Sequence, residues 1–182
     1  MNFTKTSLPG ILLIEANVFG DARGFFMESF RRDVFEGAGI PPLVQDNHSR
    51  SVRGTLRGLH FQHPHGQGKL IRVTSGAVYD VLVDVRRGSP TFGKWEGHEL
   101  NEDSKRQLWV PPGFAHGFCV LSDTVDFLYK CSDYYHPESE HTLLWNDPDV
   151  GVEWPVRDPI LSEKDRNGVR LRDLRILMDY AD

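Results

Sequence analysis

The chain has 182 residues, with 21 Lys+Arg against 26 Asp+Glu, a formal charge of −5, and 39% hydrophobic and 11% aromatic content. This suits one folded domain and excludes a disordered chain, a basic nucleic-acid-binding surface and, with no apolar run near ~20 residues, a membrane-spanning helix. Met1–Gly10 lacks the basic start and apolar core of a signal peptide, and Cys119 and Cys131 sit in apolar stretches, so we expect a cytoplasmic protein with two buried, reduced thiols.

The first helix signal is Phe30, Val34 and Phe35 at helical spacing behind Ser29, a candidate N-cap, with Gly37 and Gly39 as stops. From about Gln45 to Tyr135 the chain is a series of short β-rich runs broken by Gly, Pro, Asn and Ser. Arg57-Gly-Leu-His-Phe-Gln62 reads as a strand, but strict alternation sets Arg57 and His60 on opposite faces. Both reach one site only if the strand bulges, and Gly58 is the place for it. Leu70–Thr74 and Val78–Val85 flank Ser75-Gly76, which reads as a hairpin turn. Gln107–Val110, Gly117–Leu121 and Val125–Cys131 continue the series, and Arg170–Asp182 reads as a short C-terminal helix. With no internal repeat or linker-like stretch, the expected class is mainly β, a sandwich or barrel over residues 1–182 with a few short helices.

Period 2 also places polar groups inward. Tyr129 shares a face with Val125, Phe127 and Cys131, and the pattern alone favours a core tyrosine with a satisfied hydroxyl. Lys69 shares a face with Ile71 and Val73. An inward lysine needs a partner or a wet cavity, and a strand-end lysine reaching outward fits the same pattern equally well. His60 alone reads as a hydrogen-bonded core histidine. Its company, with Lys69 and Tyr129 on three different runs, points to one interior site.

Eight histidines raise the question of a metal. Pro111-Pro-Gly-Phe-Ala-His116 matches one half of the ligand motif of metal-binding cupins, and His63-Pro-His65 has the histidine spacing of the other half. No acidic residue follows before Asp80, so the set is incomplete and no metal is expected. Asn47-His48-Ser49 fits a glycosylation sequon, which a cytoplasmic chain does not use. No nucleophile-elbow, phosphate-loop or dinucleotide-binding glycine motif is present.

Taken together, Phe19-Gly-Asp-Ala-Arg-Gly-Phe-Phe-Met-Glu28, Gln45-Asp-Asn47, Arg57–Gln62, Gly68-Lys-Leu70, Pro112-Gly-Phe-Ala-His-Gly-Phe118, Phe127-Leu-Tyr-Lys130, Trp145-Asn-Asp-Pro148 and Leu161-Ser-Glu-Lys-Asp165 resemble the dTDP-4-dehydrorhamnose 3,5-epimerases. The match runs in order from the first residues to about Asp165. The resemblance implies a cupin-type jelly roll without metal or other cofactor, acting on a dTDP-linked 4-keto-6-deoxy sugar. Epimerisation at C3 and C5 then proceeds by proton removal alpha to the ketone, through an enolate.

By the same resemblance, His60 is the base, Asp165 orients and charge-stabilises it, Tyr129 is the general acid and Lys69 stabilises the enolate. Arg23, Glu28, Gln45, Asp46, Asn47, Arg57, His116, Glu140 and Lys164 are implied in substrate binding, with Tyr135 stacking on the thymine. A homodimer is implied as well, in which the N-terminal segment crosses to the neighbouring subunit, so that Arg23 and Glu28 serve its site. Other readings are a relative that inverts only one centre, a metal-dependent cupin, and a non-catalytic sugar-binding cupin.

Overall fold

The computed structural model describes residues 1–175 and 177–180. In chain order the elements are β1 (Asn2–Lys5), β2 (Leu12–Glu15), β3 (Val18–Asp21), β4 (Gly24–Met27), α1 (Arg32–Gly37), β5 (Gln45–Val52), β6 (Leu56–Gln62), β7 (Lys69–Ser75), β8 (Ala77–Asp84), β9 (Trp95–Asn101), β10 (Gln107–Val110), β11 (Phe114–Val120), β12 (Thr124–Cys131), β13 (Glu140–Thr142) and α2 (Glu163–Arg166). One sheet runs β1-β2-β10-β7-β12-β5, a second runs β13-β6-β11-β8-β9, and β3-β4 stands apart as a two-stranded arm. The expected mainly β fold is what forms.

The two large sheets face each other across a shared core. Ile71, Val73, Leu108, Val110, Val125 and Phe127 come from one sheet, and Val78, Leu82, Leu100, Phe114, Phe118 and Val120 from the other. The outer face of the six-stranded sheet is covered by α1, whose Phe35 packs with Ile40 onto Ile14, Leu70 and Trp109. The outer face of the five-stranded sheet is covered by the C-terminal segment, where Trp154, Leu171, Leu174 and Leu177 pack on Leu59, Phe61, Val81 and Ala115. Central strands are therefore buried on both sides. Every residue of β10 and β11 is buried, which is why these runs read as continuous apolar stretches rather than alternating ones.

Three local expectations are corrected. Ser75-Gly76 is not a hairpin turn: β7 pairs with β10 and β12, whereas β8 pairs with β11 and β9. Ile71 and Val73 of β7 and Val78 and Leu82 of β8 bury in one core between the sheets, and Gly76, at φ 79°, turns the corner between them. Ser29 does not cap α1. The helix starts after Arg31 with no side-chain cap, and the Ser29 carbonyl instead accepts a hydrogen bond from Gln107. Among the described residues the tail forms no helix beyond a single 3-10 turn at Leu171–Asp173, and Asp179 bridges Arg87 in an extended form. Leu171, Leu174 and Leu177 mimic helical spacing while covering a flat sheet. Part of that expected helix, residues 176, 181 and 182, lies outside the described residues.

Both cysteines are buried and free, as expected. Among the described residues no helix is long and apolar enough to cross a membrane.

Candidate active site

A cavity of about 760 Å³ opens between the two sheets at one end of the sandwich. The β6 wall depends on a bulge. His60 lies opposite His116 and Arg57 opposite Phe118, so three steps along β6 span two along β11. Gly58 supplies the extra residue at φ 134°, and a Cβ there would stand 2.5 Å from the Gly117 Cα. Only glycine fits both the conformation and the approach. The bulge turns Arg57 and His60 to the same side, and both line the cavity.

His60 Nε2 lies 2.5 Å from Asp165 Oδ1. The second Asp165 oxygen accepts the Ser162 hydroxyl at 2.8 Å, and Ser162 Oγ in turn caps α2 by accepting the Asp165 N–H at 3.1 Å. Burial works against the Asp165 carboxylate, but the hydrogen bonds from His60 and Ser162 outweigh it and hold its pKa below the usual range. An ionised carboxylate only accepts, so Nε2 carries the proton, and in the neutral imidazole Nδ1 holds the free lone pair. That is the tautomer a base needs.

Lys69 and Tyr129 come from the opposite sheet. Cys131 pairs with Lys69 and Tyr129 with Ile71, so alternation carries both polar groups onto the inward face. Burial raises the Tyr129 phenol to about 12, with Cys131 and Glu140 adding to it. Tyr129 is therefore a protonated donor throughout the neutral range. Burial lowers the Lys69 pKa against the opposing influence of Cys131, Glu140 and Asp80. Of the two readings open for Lys69, the inward, cavity-lining one is what the structure adopts.

Glu140 ties the rim together. Its oxygens accept from Lys164 Nζ at 2.8 Å and from the Tyr135 hydroxyl at 2.8 Å. Burial raises the Glu140 pKa, yet these two donors bring it below the ordinary carboxylate value. Gln45 accepts the Tyr135 backbone N–H at 3.0 Å and donates to Asn47 at 3.3 Å, which fixes the β5 edge of the pocket. His116 is buried behind His60 and bonded to Asp80 at 2.9 Å. Its pKa is lowered by burial despite that carboxylate.

Eleven of the expected site residues thus share one cavity: Gln45, Asn47, Arg57, His60, Lys69, His116, Tyr129, Tyr135, Glu140, Lys164 and Asp165. Three do not. Asp46 falls between inward Gln45 and Asn47 on β5, so it points away from this cavity and pairs with Lys130 at 2.7 Å. Arg23 sits in the β3–β4 turn with its side chain 90% exposed and paired to Asp21. Glu28 lies just beyond β4, 3.7 Å from Arg31. The histidines of the half-motifs are also separated: His116 is held by Asp80, whereas His65 stacks on His136 at 4.1 Å.

Sequence reasoning missed Asp80, Ser162 and Ser51, whose hydroxyl accepts from Arg57 Nε at 3.1 Å. Asp80 and Ser162 left signals. Asp80 interrupts the apolar run of β8, and Ser162 precedes Asp165 by three residues, the spacing of a capping box.

Comparison with known proteins adds a decisive observation. The family model described as dTDP-4-dehydrorhamnose 3,5-epimerase matches residues 5–173. The chain belongs to the dTDP-4-dehydrorhamnose 3,5-epimerase family. A Shigella flexneri protein of that name is 54% identical over 176 residues, covering 95% of this chain and 97% of that one. A crystal structure of dTDP-6-deoxy-D-glucose-3,5-epimerase from Legionella pneumophila, in complex with dTDP-4-keto-L-rhamnose, is 48% identical with a TM-score of 0.96 and covers 100% and 99% of the two chains. At greater distance, a Streptomyces niveus protein named dTDP-4-dehydrorhamnose 3-epimerase is 40% identical over 187 residues, covering 100% of this chain and 90% of that one. All eleven cavity residues lie inside the matched epimerase span, which ends at residue 173 rather than near Asp165.

Proposed function

We propose that the protein epimerises C3 and C5 of dTDP-4-dehydro-6-deoxy-D-glucose to give dTDP-4-dehydro-L-rhamnose. One observation carries this reading beyond family membership: a histidine with a carboxylate behind it and a protonated tyrosine face one cavity from opposite sheets. Inversion needs a base on one face of the carbon and a donor on the other. Binding alone needs neither.

In this reading His60 Nδ1 takes the proton alpha to the ketone, and Asp165 stabilises the imidazolium that forms. Negative charge moves to the C4 oxygen, where the Lys69 ammonium meets it in a low-dielectric pocket. Tyr129 returns a proton from the far side for at least one centre. Arg57 and Lys164 supply cationic donors for the diphosphate, and Tyr135 offers its ring to the thymine. Incubating the protein with this substrate, followed by borohydride reduction and sugar analysis, tests the assignment. Products of the L series are expected, and unchanged D-series sugars would refute it.

A Lys69→Met variant separates this role from folding. Turnover falls by about 10²–10³-fold, the scale of removing one donor from a developing oxyanion. Because burial lowers the folded-state pKa of Lys69, its charge weighs against the fold below that pKa, and the penalty fades as pH rises toward 10.5. The variant therefore unfolds at an equal or higher temperature near neutral pH. In the parent, alkaline loss of activity begins at lower pH than an ordinary lysine would give. Unchanged turnover would remove Lys69 from the mechanism.

The second reading, inversion of a single centre, draws on the 3-epimerase relative, since one cavity of this kind serves either outcome. We also propose a cytoplasmic homodimer. The β3–β4 arm leaves Phe19, Phe25 and Phe26 64%, 59% and 70% exposed, an apolar surface the chain does not cover itself. Exchange of this arm would bring Arg23 and Glu28 to a neighbouring pocket. Sedimentation velocity at micromolar concentration should return the mass of two chains, and a monomer would dispose of the exchange.

A further inference from the structure

Outside the cavity, His65, Asp133 and His136 each present one ligand atom, and these atoms lie within 4.8 Å of one another. His65 Nδ1 is 3.9 Å from Asp133 Oδ2, and the two imidazoles stack at 4.1 Å. We propose that this cluster is a surface site for a divalent transition-metal cation of the Zn²⁺ class, distinct from the catalytic pocket.

The chemistry selects the ion. Two imidazoles and one carboxylate suit Zn²⁺, Co²⁺ or Ni²⁺, whereas Mg²⁺ and Ca²⁺ require mostly oxygen ligands. Three protein ligands with an open fourth position are a common zinc arrangement. Zn–N bonds of about 2.0–2.1 Å put tetrahedral ligand atoms about 3.3 Å apart, so partly exposed side chains need only a small contraction. Glu138 Oε1, 3.4 Å from His136 Nδ1, adds a second carboxylate at the edge.

The backbones that carry the ligands are already locked together. Buried Gln62 donates to the His65 and Tyr134 carbonyls at 2.7 and 3.2 Å and accepts the His136 N–H at 2.9 Å. Gln67 donates to the Asp133 carbonyl at 2.9 Å. His65 adopts φ 62°, a left-handed conformation uncommon for a residue other than glycine. A bound ion would clamp the loop after β6 to the loop after β12, which carries Tyr135.

The test uses the full chain, free of affinity tags and stripped with EDTA, titrated with Zn²⁺ against a chromophoric chelator at pH 7.5. The expected result is one equivalent per chain at micromolar or tighter affinity. His65→Asn, which keeps a residue tolerant of positive φ, and His136→Gln should each weaken binding by at least about tenfold. His48→Ala, on the far side of β5, should not change it. Co²⁺ should give ligand-field bands that both cluster variants lose, and circular dichroism confirms that the variants are folded. Affinity unchanged in either cluster variant, or no saturable binding by the parent up to about 100 µM Zn²⁺, overturns the proposal.

Discussion

Replacing His60 with asparagine is expected to lower turnover by about 10³–10⁴-fold, the combined loss of a general base and its oriented partner. No other imidazole substitutes for it, because His116 is buried and bound to Asp80. The fold should survive with a stability loss of about 1–3 kcal/mol, since Asp165 is left buried without its main donor. The pH dependence gives a second check. A carboxylate whose folded pKa is depressed contributes stability above its unfolded value, near 3.8 for Asp165, and loses it as pH falls through the folded value. The stability gap between the parent and Asp165→Asn should therefore be full at pH 6 and shrink below about pH 4 in urea titrations. A His60→Asn enzyme within tenfold of parental turnover would remove His60 as the base.

Tyr129→Phe should uncouple proton removal from inversion. His60 still forms the enolate, so deuterium from solvent enters the substrate carbon. Without a donor on the opposite wall, the enolate is reprotonated from the side it came from, and inverted product falls by about 10²–10⁴-fold. The ring remains packed near Phe127, with centroids at 6.0 Å in the parent, so stability changes little. The measurement compares exchange by NMR with product formed in the same tube. Equal loss of both would mean that Tyr129 does not act from the opposite side.

The legible parts of the fold were those whose burial matched a simple period. β10 and β11 are apolar because the core surrounds them, and the inward places of Lys69 and Tyr129 followed from alternation. β5 was harder, because its inward residues Gln45, Asn47, Ser49 and Ser51 include three that line the cavity, and it reads as polar throughout. β9 lies at a sheet edge and carries Glu96, His98 and Glu99, so it offered no apolar run. Which strands pair was also hidden, since Ser75-Gly76 serves a corner between sheets as well as it would a hairpin.

The site divided in the same way. Gly58 as a bulge could be inferred because Arg57 and His60 conflicted under strict alternation, and the register shift opposite Gly117 resolves that conflict. The individual roles came from resemblance, not from pattern. Alternation along β5 is also what turns Asp46 away from the cavity that its neighbours Gln45 and Asn47 line. The cluster of His65, Asp133 and His136 had no linear signal, because two loops must converge to make it.

Solvent exchange at C3 and C5 decides whether the protein inverts both centres. The protein is incubated with dTDP-4-dehydro-6-deoxy-D-glucose in deuterated water and the C3 and C5 proton signals are followed by NMR. Loss of both signals, with product of L configuration, is the predicted result. Exchange at one carbon alone would select the single-centre reading, and exchange at neither would contradict the proposed activity.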